Sequence, residues 1–143
     1  MDARKITDRY HVSPQIDPED AQAIADAGYS TIICNRPDGE VPPSHQSAAV
    51  KAAAEAAGLK FEVLELTHQT MTPENVARQR AMIEASEGPV LAYCASGTRC
   101  SVIWALSQAG TRPTDEILSA TSNAGYQLDH LRPMLDQIAQ SKA

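Results

Sequence analysis

The chain has 143 residues, 43% hydrophobic and 21% charged, with 7 Gly and 9 Pro. That is the balance of one globular domain, and it excludes a disordered, fibrous or low-complexity chain. A formal net charge of −6, few aromatics (1 Trp, 4 Tyr, 1 Phe) and no Lys/Arg cluster argue against nucleic acid as the main partner.

Taken in chain order, short apolar runs alternate with helical patterns. Tyr10-His11-Val12 reads as a short first strand. Asp17-Pro18-Glu19-Asp20 reads as an N-cap, a proline at the first helical position and acids in the first turn. That helix carries Ala21, Ile24 and Ala25 and stops at Gly28. Tyr29 to Asn35 is a predicted strand, β-branched at Thr31, Ile32 and Ile33. It leads into the turn-rich loop Arg36-Pro37-Asp38-Gly39-Glu40. Ser44 is the predicted cap of an Ala-rich helix from His45 to Ala57, stopped by Gly58. Phe61 to Leu66 is a strand. Thr72-Pro73-Glu74-Asn75 opens a third helix that runs to about Glu87. Val90-Leu91-Ala92-Tyr93 is a continuous apolar strand, the pattern of a buried parallel strand. A tight turn at Cys94 to Gly97 enters a helix from about Thr98 to Gln108. Two further helices follow, one from near Pro113 with Ile117, Leu118 and Ala120, the other with Leu128, Leu131, Leu135 and Ile138. The last stripe is assigned to the core rather than to a dimer seam.

This alternation predicts a single α/β domain over residues 1–143, with a mostly parallel sheet of four to five strands flanked by helices. No apolar run approaches the length of about 18 residues needed to cross a membrane. Met1 to Asp8 lacks the apolar stretch of a secretory leader, so a cytoplasmic protein is expected. Three cysteines, Cys34, Cys94 and Cys100, make an odd count and argue against a disulfide scaffold. No metal-binding spacing occurs, so neither a metal nor an organic cofactor is expected.

In such a sheet, ligands bind beyond the carboxyl ends of the strands. Two loops fall there, Arg36 to Glu40 and Cys94 to Arg99. In Cys94-Ala95-Ser96-Gly97-Thr98-Arg99, small residues let the backbone curl until successive N–H groups point inward as an anion nest. The helix start adds free N–H groups. Arg99 adds a planar fork suited to two oxyanion oxygens. The same field favours a Cys94 thiolate, a nucleophile near neutral pH. The expectation is a shallow anion site with the sulfur open to solvent and the guanidinium turned toward it. Cys34, inside Thr31-Ile32-Ile33-Cys34, reads as a small buried hydrophobe.

The loop resembles two signatures, the cysteine-dependent phosphatase loop, with five residues between Cys and Arg, and the rhodanese sulfurtransferase loop. The four residues between Cys94 and Arg99 lean toward the second. Val12-Ser13-Pro14-Gln15, Asn35 to Glu40, Ala53 to Gly58, and Gly88 to Cys94 on to Trp104-Ala105-Leu106 together resemble a bacterial family over roughly residues 5 to 110. It is the phosphatase-like domain of beta-lactamase-hydrolase-like proteins, similar to dual-specificity tyrosine phosphatases. The family often has arginine after the cysteine and Ser or Thr after the arginine. Here those positions hold Ala95 and Cys100, and Tyr93 stands where many phosphatases have histidine.

The resemblance implies a phosphatase that hydrolyses phosphomonoesters, of a small molecule or a phosphoprotein, through a cysteinyl-phosphate on Cys94. Arg99 and the amides of Ala95, Ser96, Gly97 and Thr98 would hold the oxygens, with Arg36 as a second contact. The loop that supplies the acid in related phosphatases, Thr67 to Thr72, has no carboxylate. Asp38 is the first candidate for general acid, ahead of Glu40 and His68. Two other readings stay open: a sulfurtransferase carrying a persulfide on Cys94, and a module that only binds an oxyanion. Cys100 is either packing or a resolving thiol for an oxidised Cys94.

Overall fold

In the computed structural model, which describes residues 1–142, the strands are β1 (Arg4–Thr7), β2 (Tyr10–Ser13), β3 (Thr31–Cys34), β4 (Lys60–Val63) and β5 (Val90–Tyr93). The α-helices are α1 (Ala21–Asp26), α2 (Ser47–Ala56), α3 (Pro73–Ala85), α4 (Thr98–Gln108), α5 (Thr114–Asn123) and α6 (Arg132–Ser141). The strands form one sheet in the order β1-β2-β5-β3-β4. All neighbours are parallel except the β1–β2 hairpin. This is the expected α/β architecture. The strand β1 adds to it: Arg4-Lys5-Ile6-Thr7 has one apolar residue, so no apolar run marks it.

The central strand β5 explains why helices cover both faces. Its four residues are fully buried and alternate in direction. Val90 and Ala92 join a core with Tyr10, Val12, Ile33, Trp104, Ile117 and Leu135, packed under α3 to α6. Leu91 and Tyr93 join the opposite core with Ile24, Ile32, Val50, Ala54 and Phe61, packed under α1 and α2. Cys34 is 2% exposed in that second core, where burial pushes its thiol pKa up. Helix α4 is enclosed from Cys100 to Ser107, so it shows no apolar stripe of its own.

Several boundaries differ from expectation for local reasons. A 3-10 turn at Pro18–Asp20 precedes α1, with the Asp20 carboxylate accepting from the Asp17 N–H. Ser44 does not cap α2. Pro42 and Pro43 hold a separate 3-10 turn, and the helix starts at Ser47. Its cap comes from a distance. The Asp38 carboxylate accepts from the Ser47 N–H at 2.7 Å and from its hydroxyl at 3.2 Å. Thr72 does cap α3, accepting from the Asn75 N–H. Strand β4 stops at Val63, three residues short of Leu66, where the chain leaves the ladder yet still bonds it: Leu66 N–H donates to the Asn35 carbonyl. Leu128 and Leu131 precede α6 rather than lying in it.

A buried polar chain locks the layers behind the loop after β5. Asn35 donates to the Leu64 carbonyl and to Gln79 Oε1, both at 2.9 Å. Gln79 donates to Asn35 Oδ1 and to Tyr10 Oη. Tyr10 Oη donates to the Cys100 carbonyl at 2.8 Å. Every member is fully buried and partnered, so the network fixes one arrangement of β2, β3, α3 and the first turn of α4.

Candidate active site

Strand β5 ends at Tyr93 and helix α4 starts at Thr98, so Cys94 to Gly97 must reverse the chain within four residues. Gly97 makes this possible with φ +94°. A side chain is excluded there for a second reason: a Cβ would lie 2.1 Å from Tyr126 Oη. Tyr126 donates to the Ser96 carbonyl at 2.9 Å, and the Arg4 guanidinium covers its ring at 5.4 Å. Ser101 completes the turn, its hydroxyl and N–H both donating to the Gly97 carbonyl. We expect Gly97→Ala to destabilise the fold by about 2–4 kcal/mol, from the left-handed backbone and the collision together. Thermal melting checks this. An unchanged midpoint would show that the loop tolerates another path, and Tyr126→Phe would leave most of the loss in place.

The curl turns donors inward. Gly97 N–H donates to Cys94 Sγ at 3.1 Å. The Cys94 pKa is lowered to about 5, first by the hydrogen bond from the Cys100 thiol, opposed by desolvation, and then by the backbone amides of Cys100, Ser96 and Gly97. Cys100 is moved the other way: burial, and then the neighbouring thiolate, hold it protonated. The neighbouring pair is thus held as a Cys94 thiolate beside a Cys100 thiol. The open sulfur expected from the sequence is not found, since Cys94 is 0% exposed. The four-residue loop closes over the sulfur, with the Gly97 N–H drawn onto it. Ala95 and Ser96 form its exposed outer wall.

The Arg99 guanidinium is clamped rather than free. It gives Nη1–H and Nη2–H to the two Glu40 carboxylate oxygens, both at 2.8 Å, and a second Nη1–H to the Leu66 carbonyl at 2.9 Å. A guanidinium has five N–H donors. Among the described residues, three of these are used. Nε–H and the remaining Nη2–H, which form one edge of the plane, have no partner. That unused edge is the fork an oxyanion takes in a bidentate pair.

Arg36 and Glu40 share this rim. Arg36 Nε donates to Glu40 Oε1 at 3.3 Å, and Nη1 to Gln15 Oε1 at 3.2 Å. The hydrogen bond from Arg99 first, and that from Arg36 next, hold the Glu40 pKa below the usual carboxylate range. Glu40 is therefore a fixed anion that orients two guanidinium groups, not a proton donor near neutral pH. Asp38, ranked first for that task, instead has both oxygens engaged by Ser47 at the start of α2. His68 is exposed on the Thr67 to Thr72 loop and lines a cleft that also contains Thr98. Tyr126, Gln15 and the Asn35–Gln79–Tyr10 chain escape sequence reading, because nothing local links them to the loop. No group of three or more His, Cys, Asp or Glu among the described residues is arranged to hold a metal.

The family profile of the beta-lactamase hydrolase-like protein, phosphatase-like domain, matches residues 2–111. The chain belongs to this family. A beta-lactamase hydrolase-like protein of Xylella fastidiosa (strain 9a5c) is 32% identical over 136 residues, covering 94% of this chain and 32% of the relative. The chain thus spans about a third of the length of the curated relatives it matches. Among solved structures, a protein of Neisseria meningitidis described as a "putative phosphatase" superposes with a TM-score of 0.85. It is 38% identical, over 96% of this chain and 99% of its own. Tk-PTP in its active form shares the fold at a TM-score of 0.70 and 14% identity, over 99% and 98% of the two chains. The fold of this phosphatase-like domain is that of the protein tyrosine phosphatases. No helix among the described residues is long and apolar enough to cross a membrane.

Proposed function

We propose that the domain hydrolyses phosphomonoesters through a covalent cysteinyl-phosphate on Cys94. The observation that carries this reading is the pairing of an acidified, amide-bound Cys94 sulfur with the free Nε/Nη2 edge of Arg99. The thiolate attacks phosphorus in line, forming the S–P bond as the ester P–O bond breaks. The amides from Ala95 to Arg99 and the Arg99 fork receive the equatorial oxygens, whose charge grows during transfer. Water then attacks phosphorus, the S–P bond breaks, and phosphate leaves with the thiolate restored. Cys100 donates to that departing sulfur. Because Cys94 is closed over, this attack requires the exposed Ala95–Ser96 wall to open around the arriving oxyanion.

In this scheme Glu40 is the positioning residue of Arg99, and Arg36 reinforces it. Asp38 serves α2 and leaves the acid task to His68, the titratable side chain of the Thr67–Thr72 loop that faces the cleft. Histidine protonates a leaving oxygen less readily than a carboxylic acid does, so aryl phosphates are the better substrates of this chemistry.

Sulfur transfer is the second reading, favoured by one specific observation: among the described residues, the loop's carboxylates Asp38 and Glu40 are both engaged, and persulfide transfer needs no acid. The two are separated by assaying purified protein side by side with p-nitrophenyl phosphate and with thiosulfate plus cyanide. Release of nitrophenol that is lost in Cys94→Ser is the expected result. Thiocyanate formation without nitrophenol release overturns the phosphatase reading.

A further inference from the structure

We propose that the apolar groove leading away from the reaction loop binds the hydrocarbon part of the substrate, which is a phosphomonoester of a long aliphatic alcohol. This rests on the phosphatase reading above and deepens it to a substrate class.

The groove begins at the first turn of α4, directly after the loop. Thr98, Val102 and Leu106 stand four residues apart on one stripe of α4, and with Leu128 and Leu131 they line a cleft of about 180 Å³. Thr98, the first residue of α4, and His68 put one end of this cleft beside the reaction loop. The far end runs into a second cavity of about 520 Å³ between α3 and α6, and Met71, Leu106 and Met134 line both. Together they make one continuous trough, in the size range of a ligand pocket.

Its charge is the second argument. The chain has 18 Asp and Glu against 12 Lys and Arg, yet no carboxylate side chain among the described residues lines either cavity. The chargeable groups along the trough are all potential cations: His68 and His130 near the loop, Arg80 and Lys142 beyond. The two beyond are anchored, Arg80 on the Ser107 carbonyl, Thr111 and Glu84, and Lys142 on the Ala109 carbonyl. An anionic head with an apolar tail matches this surface, whereas a phosphopeptide would find few polar partners past Thr98. The trough is open rather than core, since Met134 is 50% exposed. Met134 stands at its open edge, while Val102, Leu106 and Leu128 form a buried apolar floor, the lining a hydrocarbon chain needs.

The test measures binding of butyl phosphate and decyl phosphate, below their micelle concentrations, to Cys94→Ser protein by calorimetry, with inorganic phosphate as reference. Decyl phosphate is expected to bind at least about a hundredfold more tightly than butyl phosphate, because each buried methylene contributes up to about fourfold. In Met134→Glu, whose exposed position tolerates the change in folding, the decyl-to-butyl ratio should fall at least about tenfold. Circular dichroism checks that the fold persists. Equal affinity for the two esters overturns this proposal and assigns the trough to a protein surface, while hydrolysis of p-nitrophenyl phosphate by the unmodified protein would still stand. Absence of binding by all three anions overturns the anion site beneath it.

Discussion

Replacing Cys94 with serine is expected to lower hydrolysis of p-nitrophenyl phosphate by roughly a thousandfold or more, while binding of inorganic phosphate persists. The size follows from ionisation. The Cys94 sulfur has a pKa of about 5, whereas a serine hydroxyl stays protonated in the same ring of donors. The amides and Arg99 remain, so the anion still has its partners. The thiolate itself is observable by its ultraviolet absorbance. The wild-type difference spectrum against Cys94→Ser should titrate with a midpoint of about 5, far below the ~8.5 of a free thiol. Cys100→Ala should move that midpoint upward, since the Cys100 thiol is the foremost group lowering it. Stability follows the same linkage. A folded-state value depressed below the unfolded one gives stability that is complete above about pH 8.5. It is lost as pH falls through about 5. Wild type should therefore lose more stability than Cys94→Ser over that window. A midpoint near 8.5 would remove the nucleophile from this account.

Arg99→Lys is expected to reduce kcat/KM by about a hundredfold to a thousandfold. A lysine ammonium still faces Glu40 but has no second edge to offer a phosphoryl group. In the native protein the two tasks are separated by geometry. The end of the guanidinium holds Glu40 and the Leu66 carbonyl, and the side edge has no partner among the described residues. Arg99→Ala should be worse for binding than Arg99→Lys, because it leaves the Glu40 anion on the rim without that counter-ion. Glu40→Gln in that background should recover part of the phosphate affinity. Competition by inorganic phosphate, alongside steady-state kinetics, measures both effects. An Arg99→Lys enzyme within twofold of wild type would show that the free edge does no chemistry.

The loop was legible because its signals are local. A buried strand, a sulfur at its end, small residues, a glycine and an arginine in the next helical turn lie within ten residues, and each has one physical task. Strands β2, β3 and β5 and helices α3 and α4 were legible for the same reason: apolar runs, Thr72 followed by Pro73, and the Gly88-Pro89 stop. The start of α2 was not. Ser44 is a good capping residue by type, but two adjacent prolines took that turn and a carboxylate nine residues before Ser47 supplied the cap. The same contact engages Asp38, whose turn sequence is compatible with a rim acid and with a cap alike.

Sequence by itself determined the fold class and the family and singled out the Cys94 to Arg99 loop, because period, composition and short spacing carry that information within single elements. Only the tertiary structure decided how those groups are held. Glu40 meets Arg99 across 59 residues, Tyr10 reaches the Cys100 carbonyl across 90, and Tyr126 closes on Ser96 across 30. Such pairs are fixed by the sheet order and by which helix packs on which face. Side-chain charge state follows from that packing, through desolvation and the donors that converge, and so it cannot be read from a chain in isolation.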